Sequence, residues 1–559
     1  MDNTGIKHIL EKIVNEAFKS AFGFLPASEP NFEKPKNESY GDLSTDVAFK
    51  AASVLRKSPL RIAQEIVEKV SQAGYDNAVI DTIEVAAPGF INFKFTDNYF
   101  LSFVDRVIDA GAEFGRSNVG AGKKTQVEFV SANPTGPLTV GHGRNAVFGD
   151  TVANVLQWTG HDVTREYYFN NAGRQMRVLG ASVKLRYREL LGEKIEFPED
   201  HYQGEYIRDI AKHLLDERGS ALADEPPEGA FKQRAEEEIF EDIKKTLGRL
   251  GISFDVFYNE NSLYETGKIK EVIAALDAAG LTYESEGAKW FRATAVGGAQ
   301  DKVIVKSSGE PTYRLPDIAY HIEKFRRGFG LVVDIFGSDH IATYPDVLLA
   351  LKSLGYDTEK VRVLIHQFVT IFQNGEVVKM STRKANFITL DELIDWVGAD
   401  AVRFFFLMRN IGTHLNFDID LAKKQSEENP VFYLQYAHAR IASILRFAED
   451  EGVRLDDVIS GGVRKFDIAL LKEKEEIELS KTLGNFPEVV EAAAVTFEPN
   501  RIISYLQEVA EAFHRFYHLH RVVIPDHNLA ASRIALCLAA KTVLANGFRI
   551  LGISAPEKM

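Results

Sequence analysis

The chain has 559 residues, of which 45% are hydrophobic and 26% are charged, and 80 acidic against 66 basic side chains give a formal charge of −14. This length predicts about three to five folding units, and the composition is that of globular proteins, which excludes wholesale disorder. A single cysteine, Cys537, excludes an internal disulfide and a thiolate metal cluster. The acidity argues against a nucleic-acid partner unless basic side chains form local patches.

The sequence predicts a cytoplasmic protein that makes no contact with membranes. No run approaches the roughly 18 uncharged apolar residues that a membrane-spanning helix needs. The start, MDNTGIKHILEKIVNEAF, is amphipathic and carries acidic residues. It therefore differs from a secretory signal and from an Arg-rich transit peptide. We expect a cytoplasmic enzyme without a tightly bound metal.

Residues 1–115 are predicted to form a small α+β unit. Apolar residues recur at helical spacing over 6–22, 45–56 and 60–71, and GFINFKF (89–95) alternates like a strand. The glycine-rich segment 111–124 is typical of a linker.

Residues 120–425 are predicted to form a parallel doubly wound sheet with an insertion around 190–300. Strands are expected at 125–131, 164–169, 302–306, 331–336 and 361–366, and helices at 140–158 and 172–190. Alternation of strands and helices with short loops is typical of this α/β architecture. From residue 427 to residue 559 the pattern is helical, over 431–448, 466–483, 485–494, 502–518 and 530–551, and this predicts an all-α bundle.

The sharpest local pattern is VEFVSANPTGPLTVGHGR (127–144), a strand, a Pro/Gly turn and the start of a helix. A helix N-terminus offers unpaired N–H groups to phosphates. Gly141 lacks a Cβ and would let a base or ribose approach closely. His142 could donate to a phosphate as charge builds in a transition state. The alternative is an ordinary strand–helix turn.

A second pattern, VKMSTRK (378–384), is a basic segment downstream of the sheet strands. Lys379, Arg383 and Lys384 could clamp a triphosphate and stabilise the leaving pyrophosphate. Taken alone, this segment is more typical of a basic surface loop.

The two patterns together, T-x-G-H and KMS, resemble class I aminoacyl-tRNA synthetases. The words SANPTGPLTVGHGRNAVFGD, REYYFNNAGRQM, PTYRLPDIAYHIEKF, VVKMSTRKANFITLDELID and NGFRILGISAPEKM resemble the arginyl-tRNA synthetase family from residue 41 to residue 559. The resemblance implies a class I Rossmann-type catalytic domain with insertions (120–425), an N-terminal domain that binds the tRNA D-loop or elbow (1–115) and an anticodon-binding helical bundle (427–559).

The resemblance also implies the reaction. ATP, bound with Mg²⁺, activates L-arginine to arginyl-adenylate, and arginine then passes to the 3′ adenosine of tRNA(Arg). Family members act as monomers and usually need bound tRNA before they activate arginine. No general base or covalent nucleophile is required, because the substrate carboxylate attacks the α-phosphorus directly.

A guanidinium pocket needs carboxylates in fork geometry. By resemblance, Glu260 and Asp317 are those acids, Tyr313 walls the guanidinium plane, and Asn133 with Gln175 holds the α-amino and carboxylate end. Without the resemblance, Glu260 is more typical of a surface loop, and Asp317 of a helix-start acid after a proline.

By resemblance, the ATP site contains Thr139, Gly141, His142, Asp339, His340, Lys379, Met380, Ser381 and Arg383. For Asp339 a helix cap is the competing interpretation. Three residues depart from the family pattern. Thr139 replaces the first signature histidine, Asn171 replaces an aspartate, and Thr382 takes the fourth position of KMSKS. We expect Lys379, Arg383 or the upstream Lys123 and Lys124 to supply the missing charge.

Candidate tRNA contacts are Asn92 and Phe95 on the GFINFKF strand, with Phe93 as the core residue, and Tyr436 and Arg440 on the first bundle helix. Exposed rings can stack unpaired bases. His514, His518 and His520 could instead suggest a metal cluster, but no fourth ligand is evident, and a polar helix face is the more typical interpretation.

Two rival functions fit parts of the sequence. A different nucleotidyltransferase of the same fold would share the T-x-G-H loop but would need neither the KMSTR segment nor the arginine pocket. A non-catalytic tRNA-binding paralogue is suggested by Thr139 and Asn171.

Overall fold

The computed structural model describes residues 3–378, 387–453, 459–460, 463–464 and 466–559. The N-terminal part is a four-stranded antiparallel sheet covered by helices, as its alternating and helical apolar patterns predict. Its helices are Asn3–Phe22, Val47–Leu55, Pro59–Ala73 and Asp97–Ala110. Its strands, in sheet order, are Phe32–Glu33, Leu43–Thr45, Phe90–Phe95 and Ile80–Ala86.

The central part is built on a five-stranded parallel sheet. In sheet order its strands are Val361–His366, Leu331–Gly337, Lys124–Glu128, Asp162–Phe169 and Val256–Asn259. Successive strands are added to one side of Lys124–Glu128 first and then to its other side, beginning with Leu331–Gly337. The topological switch point of the sheet therefore lies between these two strands. Ligands of open α/β sheets bind beyond the carboxyl ends of the strands at such a switch point.

Helices cover both faces of this sheet. They are Val140–Trp158, Gly173–Leu190, Glu205–Arg218, Lys232–Arg249, Asn261–Glu265, Lys268–Ala278, Arg314–Arg326, Tyr344–Ser353, Leu390–Val397, Ala399–Leu407 and Ile419–Lys423. Two of them carry predicted site residues in their first turns: Val140–Trp158 carries Gly141 and His142, and Arg314–Arg326 carries Asp317. We call Val140–Trp158 the signature helix and Arg314–Arg326 the acid helix.

Two sequence predictions about the sheet are wrong. The strand Lys302–Val305 belongs to a separate antiparallel sheet with Ala288–Phe291 and Thr282–Ser285, not to the parallel core. The fifth parallel strand is instead Val256–Asn259, which the sequence analysis missed. It is an edge strand of four residues, too short to show a clear apolar pattern. A further small sheet contains Val369–Gln373, Glu376–Val377 and Leu415–Asp418.

The C-terminal part is a helical bundle, as predicted. Its helices are Pro430–Asp450, Lys474–Gly484, Phe486–Thr496, Asn500–Leu519 and His527–Leu551. The second helix begins eight residues later than expected, because a capping box of Glu473 and Glu476 starts it. In the described part of the chain, His527–Leu551 is long and apolar enough to cross a membrane, but it lies mostly buried in the bundle as a core helix.

The three parts pack against one another. The N-terminal helix Asp97–Ala110 lies on the bundle, where Ser480 Oγ donates to the carbonyl oxygen of Phe100 at 2.7 Å. The last bundle helix contacts the catalytic part, where the buried Arg403 donates to the carbonyl oxygens of Leu551 and Leu250, both at 2.8 Å. Asn154 of the signature helix donates to the carbonyl oxygen of Ile550 at 3.0 Å. The bundle and the catalytic sheet therefore share one continuous core.

Candidate active site

A strained turn leads out of the first sheet strand toward the signature helix. Val130 and Ser131 have φ angles of 67° and 45°, a region that costs a residue with a Cβ about 1–3 kcal/mol. Asn145 of the signature helix holds this turn. Its Oδ1 accepts from the Val130 N–H at 2.7 Å, and its Nδ2 donates to the Ile335 carbonyl oxygen at 2.9 Å. The strand therefore ends three residues earlier than predicted, and the turn places Asn133 at the switch point.

Asn133, Gln175 and Asn170 meet at the carboxyl end of the sheet. Asn133 Nδ2 donates to Gln175 Oε1 at 2.9 Å, and Asn133 Oδ1 accepts from the Asn170 N–H at 2.9 Å. The structure thus brings together two residues that the resemblance assigns to one end of the substrate. Gln175 is exposed, so a ligand could take its place on the Asn133 amide.

Glu260 is a buried acid, not the surface acid that its loop position alone suggests. It follows the strand Val256–Asn259 and is 7% exposed. Tyr168 OH donates to it at 2.9 Å and Asn170 Nδ2 at 2.8 Å, while Tyr264 adds a third hydrogen bond. Burial raises the pKa of Glu260, and its two tyrosine donors oppose that rise.

Asp317 lies in the first turn of the acid helix, close enough to Glu260 for their charges to interact. Burial raises the pKa of Asp317 to about 7; His321 opposes the rise, whereas Glu128 and Glu260 add to it. Within the described ranges, neither Asp317 nor Glu260 has a salt-bridge partner. A buried and a half-buried carboxylate that lack a salt-bridge partner form an environment suited to a permanently charged guanidinium.

Tyr313 does not close this pocket. It precedes the acid helix and its side chain is 80% exposed, so its ring lies in solvent and not against the two acids. The expected wall is not formed in this structure. Tyr168 and Tyr264, which the sequence analysis missed, contact Glu260 directly. The contact of Tyr264 could have been predicted from the sequence, since Tyr264 lies four residues after Glu260 and residues at this spacing share one helix face.

His142 lies in the first turn of the signature helix, beside Thr139. The Thr139 N–H donates to His142 Nδ1 at 3.2 Å. Burial, and to a lesser extent the nearby His366, lower the pKa of His142 to about 4. The ring is therefore neutral and carries its proton on Nε2. A Cβ added to Gly141 would meet only Thr139 Oγ1, at 3.8 Å, so the space over Gly141 is open.

Asp339 and His340 follow the strand Leu331–Gly337 at the switch point. The His340 ring stacks on Phe336 with centroids 4.8 Å apart, and its Nε2 is 3.8 Å from Asp339 Oδ2. The Asp339 side chain is exposed and caps no helix in the described chain, so the competing interpretation as a cap is wrong.

Lys379, Met380, Ser381, Thr382, Arg383 and Lys384 lie outside the described residues. The segment that follows them is described, and it contacts the signature turn. Thr389 pairs with Thr139 as an isolated antiparallel bridge, and the Leu390 N–H donates to the Leu138 carbonyl oxygen at 2.8 Å. Gly143 makes room for this contact, because a Cβ there would lie 2.5 Å from Leu390 Cδ1.

The candidate tRNA contacts differ in exposure. Asn92 and Phe95 are 6% and 5% exposed, so the assumption that Phe95 presents an exposed ring is wrong. Phe93 is core, as expected. On the first bundle helix, Arg440 is exposed and donates to Tyr517 OH at 3.2 Å, and Tyr436 stacks against His514 with centroids 6.2 Å apart.

The three bundle histidines do not converge. His514 packs against the Tyr433 and Tyr436 rings, and His520 Nε2 lies 2.9 Å from Glu475 Oε2. Over the described ranges, no group of three or more His, Cys, Asp or Glu side chains is arranged to hold a metal ion.

Comparisons with known proteins cover all three parts of the chain. Residues 6–95 match the arginyl tRNA synthetase N terminal domain, residues 106–405 the class I (R) tRNA synthetase catalytic domain, and residues 434–559 the DALR anticodon binding domain. The arginine–tRNA ligase of Desulfotalea psychrophila is 49% identical over 560 residues, which cover 100% of both chains. The chain belongs to the arginyl-tRNA synthetase family.

Other relatives agree with this family. The arginine–tRNA ligase of Salinibacter ruber is 50% identical, with 96% of this chain and 98% of that one covered. The fold of Thermus thermophilus arginyl-tRNA synthetase aligns with a TM-score of 0.74 at 21% identity, over 99% of this chain and 100% of that one. The predicted family, the class I fold and the activity of an aminoacyl-tRNA ligase specific for arginine are thereby confirmed. A nucleotidyltransferase outside the arginyl-tRNA synthetase family is excluded, and the non-catalytic paralogue is not favoured.

Proposed function

We propose that Asp317 and Glu260 recognise the guanidinium of L-arginine. The observation that carries this assignment is the pair of neighbouring carboxylates, Glu260 buried and Asp317 half-buried, whose described surroundings offer them no salt-bridge partner. Asp317 accepts from the guanidinium, and Glu260, which Tyr168 and Asn170 hold in place, adds a second acceptor. Lysine would bring one flexible ammonium and could not satisfy both acids in fork geometry.

The other end of arginine lies toward Asn133, whose amide is oriented by Gln175 and by the Asn170 N–H. From there a substrate carboxylate oxygen attacks the α-phosphorus of MgATP. A new oxygen–phosphorus bond forms, the bond to the β-phosphate breaks, and pyrophosphate leaves. His142 donates from Nε2 to a phosphoryl oxygen as charge builds, and the open space over Gly141 admits the nucleoside.

Asp339 and His340 border the adenosine, at the carboxyl end of the strand Leu331–Gly337. Lys379, Met380, Ser381 and Arg383 bind the triphosphate and stabilise the departing pyrophosphate. Support comes from the described residues that follow them, because Thr389 and Leu390 lie against Thr139 and Leu138. Mg²⁺ enters with ATP as part of the substrate.

The flanking domains bind tRNA(Arg). Residues 1–115 contact the D-loop or elbow, and residues 427–559 bind the anticodon through Tyr436 and Arg440. The enzyme acts as a cytoplasmic monomer, and bound tRNA is required before arginine is activated.

Aminoacylation of total tRNA with radiolabelled arginine tests this function. Transfer of label to tRNA, dependent on ATP, is expected, and tRNA binding without transfer would support the non-catalytic paralogue. ATP–pyrophosphate exchange measured with and without tRNA tests the tRNA requirement, since exchange without tRNA would contradict it. Sedimentation at assay concentration tests the monomer.

A further inference from the structure

A buried network of charged side chains lies beneath Asp317. Asp317, His321 and Lys324 are four and three residues apart on the acid helix, which places them on the face that packs against the parallel sheet. Lys324 is fully buried and donates to Glu128 Oε2 and to Asp334 Oδ1, both at 2.6 Å. Glu128 and Asp334 are register partners on the two strands at the switch point.

Both ring nitrogens of His321 face acceptors. Nδ1 is 2.8 Å from the carbonyl oxygen of Asp317, and Nε2 is 2.9 Å from Asp334 Oδ2. A neutral imidazole has one N–H and could satisfy only one of these contacts. Both contacts are hydrogen bonds only when both nitrogens are protonated. Two acceptors around one ring favour the positively charged, doubly protonated form of His321, which is 5% exposed and lies beside Asp334.

The charges of this network balance without Asp317. Lys324 and His321 match Glu128 and Asp334. Asp334 faces both cations, and their combined attraction lowers its pKa even though burial opposes this. At the C-terminal end of the acid helix, Arg327 donates to both oxygens of Glu166 at 2.6 and 2.7 Å. The network thus adds no excess negative charge beneath the pocket and places one positive charge a helical turn from Asp317.

We propose that His321 is a positioning residue for arginine recognition, because its charge and its bond to the Asp317 carbonyl hold Asp317 in place and keep its carboxylate ionised. This inference rests on the assignment of Asp317 to the arginine guanidinium. His321 itself does not touch the substrate.

Several groups act on Asp317 from the surrounding elements. His321 and Lys324 on its own helix favour the charged carboxylate, whereas Glu128 from the sheet and Glu260 from the next loop disfavour it. The phenols of Tyr168 and Tyr264 also face Asp317, whose charge raises their pKa values. Because burial already raises the pKa of Asp317 to about 7, the loss of one nearby positive charge would leave the acid mostly protonated at neutral pH.

The test is the pH dependence of KM for arginine in His321→Gln. In the wild type, KM should fall as pH rises through about 7, since Asp317 must be ionised to bind arginine. In His321→Gln, the midpoint of this fall should move about one pH unit upward, and KM at pH 7 should therefore rise about fivefold. KM for ATP should stay within about twofold. His213→Gln, at an exposed histidine paired with Glu238, is the matched control and should behave as the wild type.

A second variant, His321→Lys, separates the effect of the positive charge of His321 from the effect of its shape. His321→Lys keeps a positive charge next to Asp334 and should restore the wild-type midpoint even if KM rises slightly. A folded His321→Gln protein with an unchanged midpoint would overturn the proposal, as would equal rises in KM for ATP and arginine. If His321→Gln does not fold, His321→Lys provides the test. The proposal is then overturned if the pH midpoint of KM for arginine in His321→Lys lies above that of the wild type. Failure of the underlying site assignment gives a different result, because Asp317→Asn would then leave KM for arginine unchanged.

Discussion

The backbone N–H of Thr139 donates to His142 Nδ1 at 3.2 Å, so the residue that replaces the first signature histidine fixes the tautomer of the second. The bond uses the main chain of Thr139, which any residue except proline would supply. The threonine side chain adds only a 3.4 Å contact to the same nitrogen. The departure at Thr139 therefore leaves the donor geometry of His142 intact, and this supports an active enzyme.

We expect His142→Ala to lower kcat for ATP–pyrophosphate exchange about 100-fold, because a donor to the developing phosphoryl charge is lost. Thr139→Ala keeps the backbone N–H and should lose less than about threefold. Since burial lowers the pKa of His142 to about 4, the ring is neutral from pH 6 to 9. An exchange rate that titrates with His142 between those values would contradict the neutral donor.

Asp317→Asn should raise KM for arginine about 10–100-fold, because the guanidinium loses a charged acceptor worth about 1.5–3 kcal/mol. The variant should also lose the pH dependence of that KM near pH 7, since an amide does not titrate. Glu323→Gln is the matched control, as Glu323 lies on the same helix but pairs with Arg326. Equal effects of the two substitutions on KM would count against the pocket.

Asn171→Asp should destabilise the protein by about 1–2 kcal/mol, although it restores the usual family residue. Asn171 Nδ2 donates to Glu236 Oε1 at 2.6 Å, and an aspartate there would place two carboxylates in contact. Thermal unfolding should show a lower Tm, and the loss should grow as pH rises and both acids ionise. Adding Glu236→Gln should recover most of the Tm, and no recovery would exclude this contact as the cause.

The pairing of Asn171 with Glu236 also shows what sequence reasoning could not reach. The signature helix and the bundle were predictable from apolar periodicity, and the quoted motifs pointed to Glu260 and Asp317, since both kinds of signal are local in the chain. Glu236 lies 65 residues from Asn171, on an insertion helix whose boundaries the sequence did not define. Its role depends on tertiary packing alone.

The same limit applies to Phe95 and Tyr313. Alternation identifies which residues of 89–95 share a face but not whether that face is covered. Here the core of the N-terminal part covers it, and Phe95 packs against Tyr99 and Phe100. Tyr313 was placed by a motif, yet a motif carries no information on how the residue is oriented before substrate binds. The buried partners of Lys324 were missed for another reason: Glu128 and Asp334 are 206 residues apart in the chain and meet only as register partners.

Lys379→Ala should reduce ATP–pyrophosphate exchange at least about tenfold, because a cation near the leaving pyrophosphate stabilises the transition state. Lys360→Ala, which removes an exposed lysine paired with Asp357, is the control and should have no effect on exchange. An unchanged exchange rate in Lys379→Ala would remove Lys379 from the ATP site.

The affinity for tRNA should fall steeply as salt rises, despite the charge of −14, because local lysine and arginine contacts release counterions from the RNA. Arg440→Ala should weaken binding and reduce the slope of log Kd against log salt, since Arg440 is an exposed cation beside Tyr517. Arg446→Ala, on the same helix but directed to the Glu557 carbonyl oxygen at 3.1 Å, is the control. A complex insensitive to salt would count against the proposed tRNA surface.

The contact between Arg403 and the carbonyl oxygen of Leu551 has a consequence for the synthesis of the chain. Arg403 is 1% exposed and belongs to the catalytic part, yet this acceptor lies 148 residues further along the chain, in the last bundle helix. A ribosome adding about 5–20 residues per second leaves this guanidinium without that partner until the helix His527–Leu551 has been synthesised. The core of the nascent catalytic part therefore lacks this hydrogen bond, and a truncated product without the last bundle helix cannot form it.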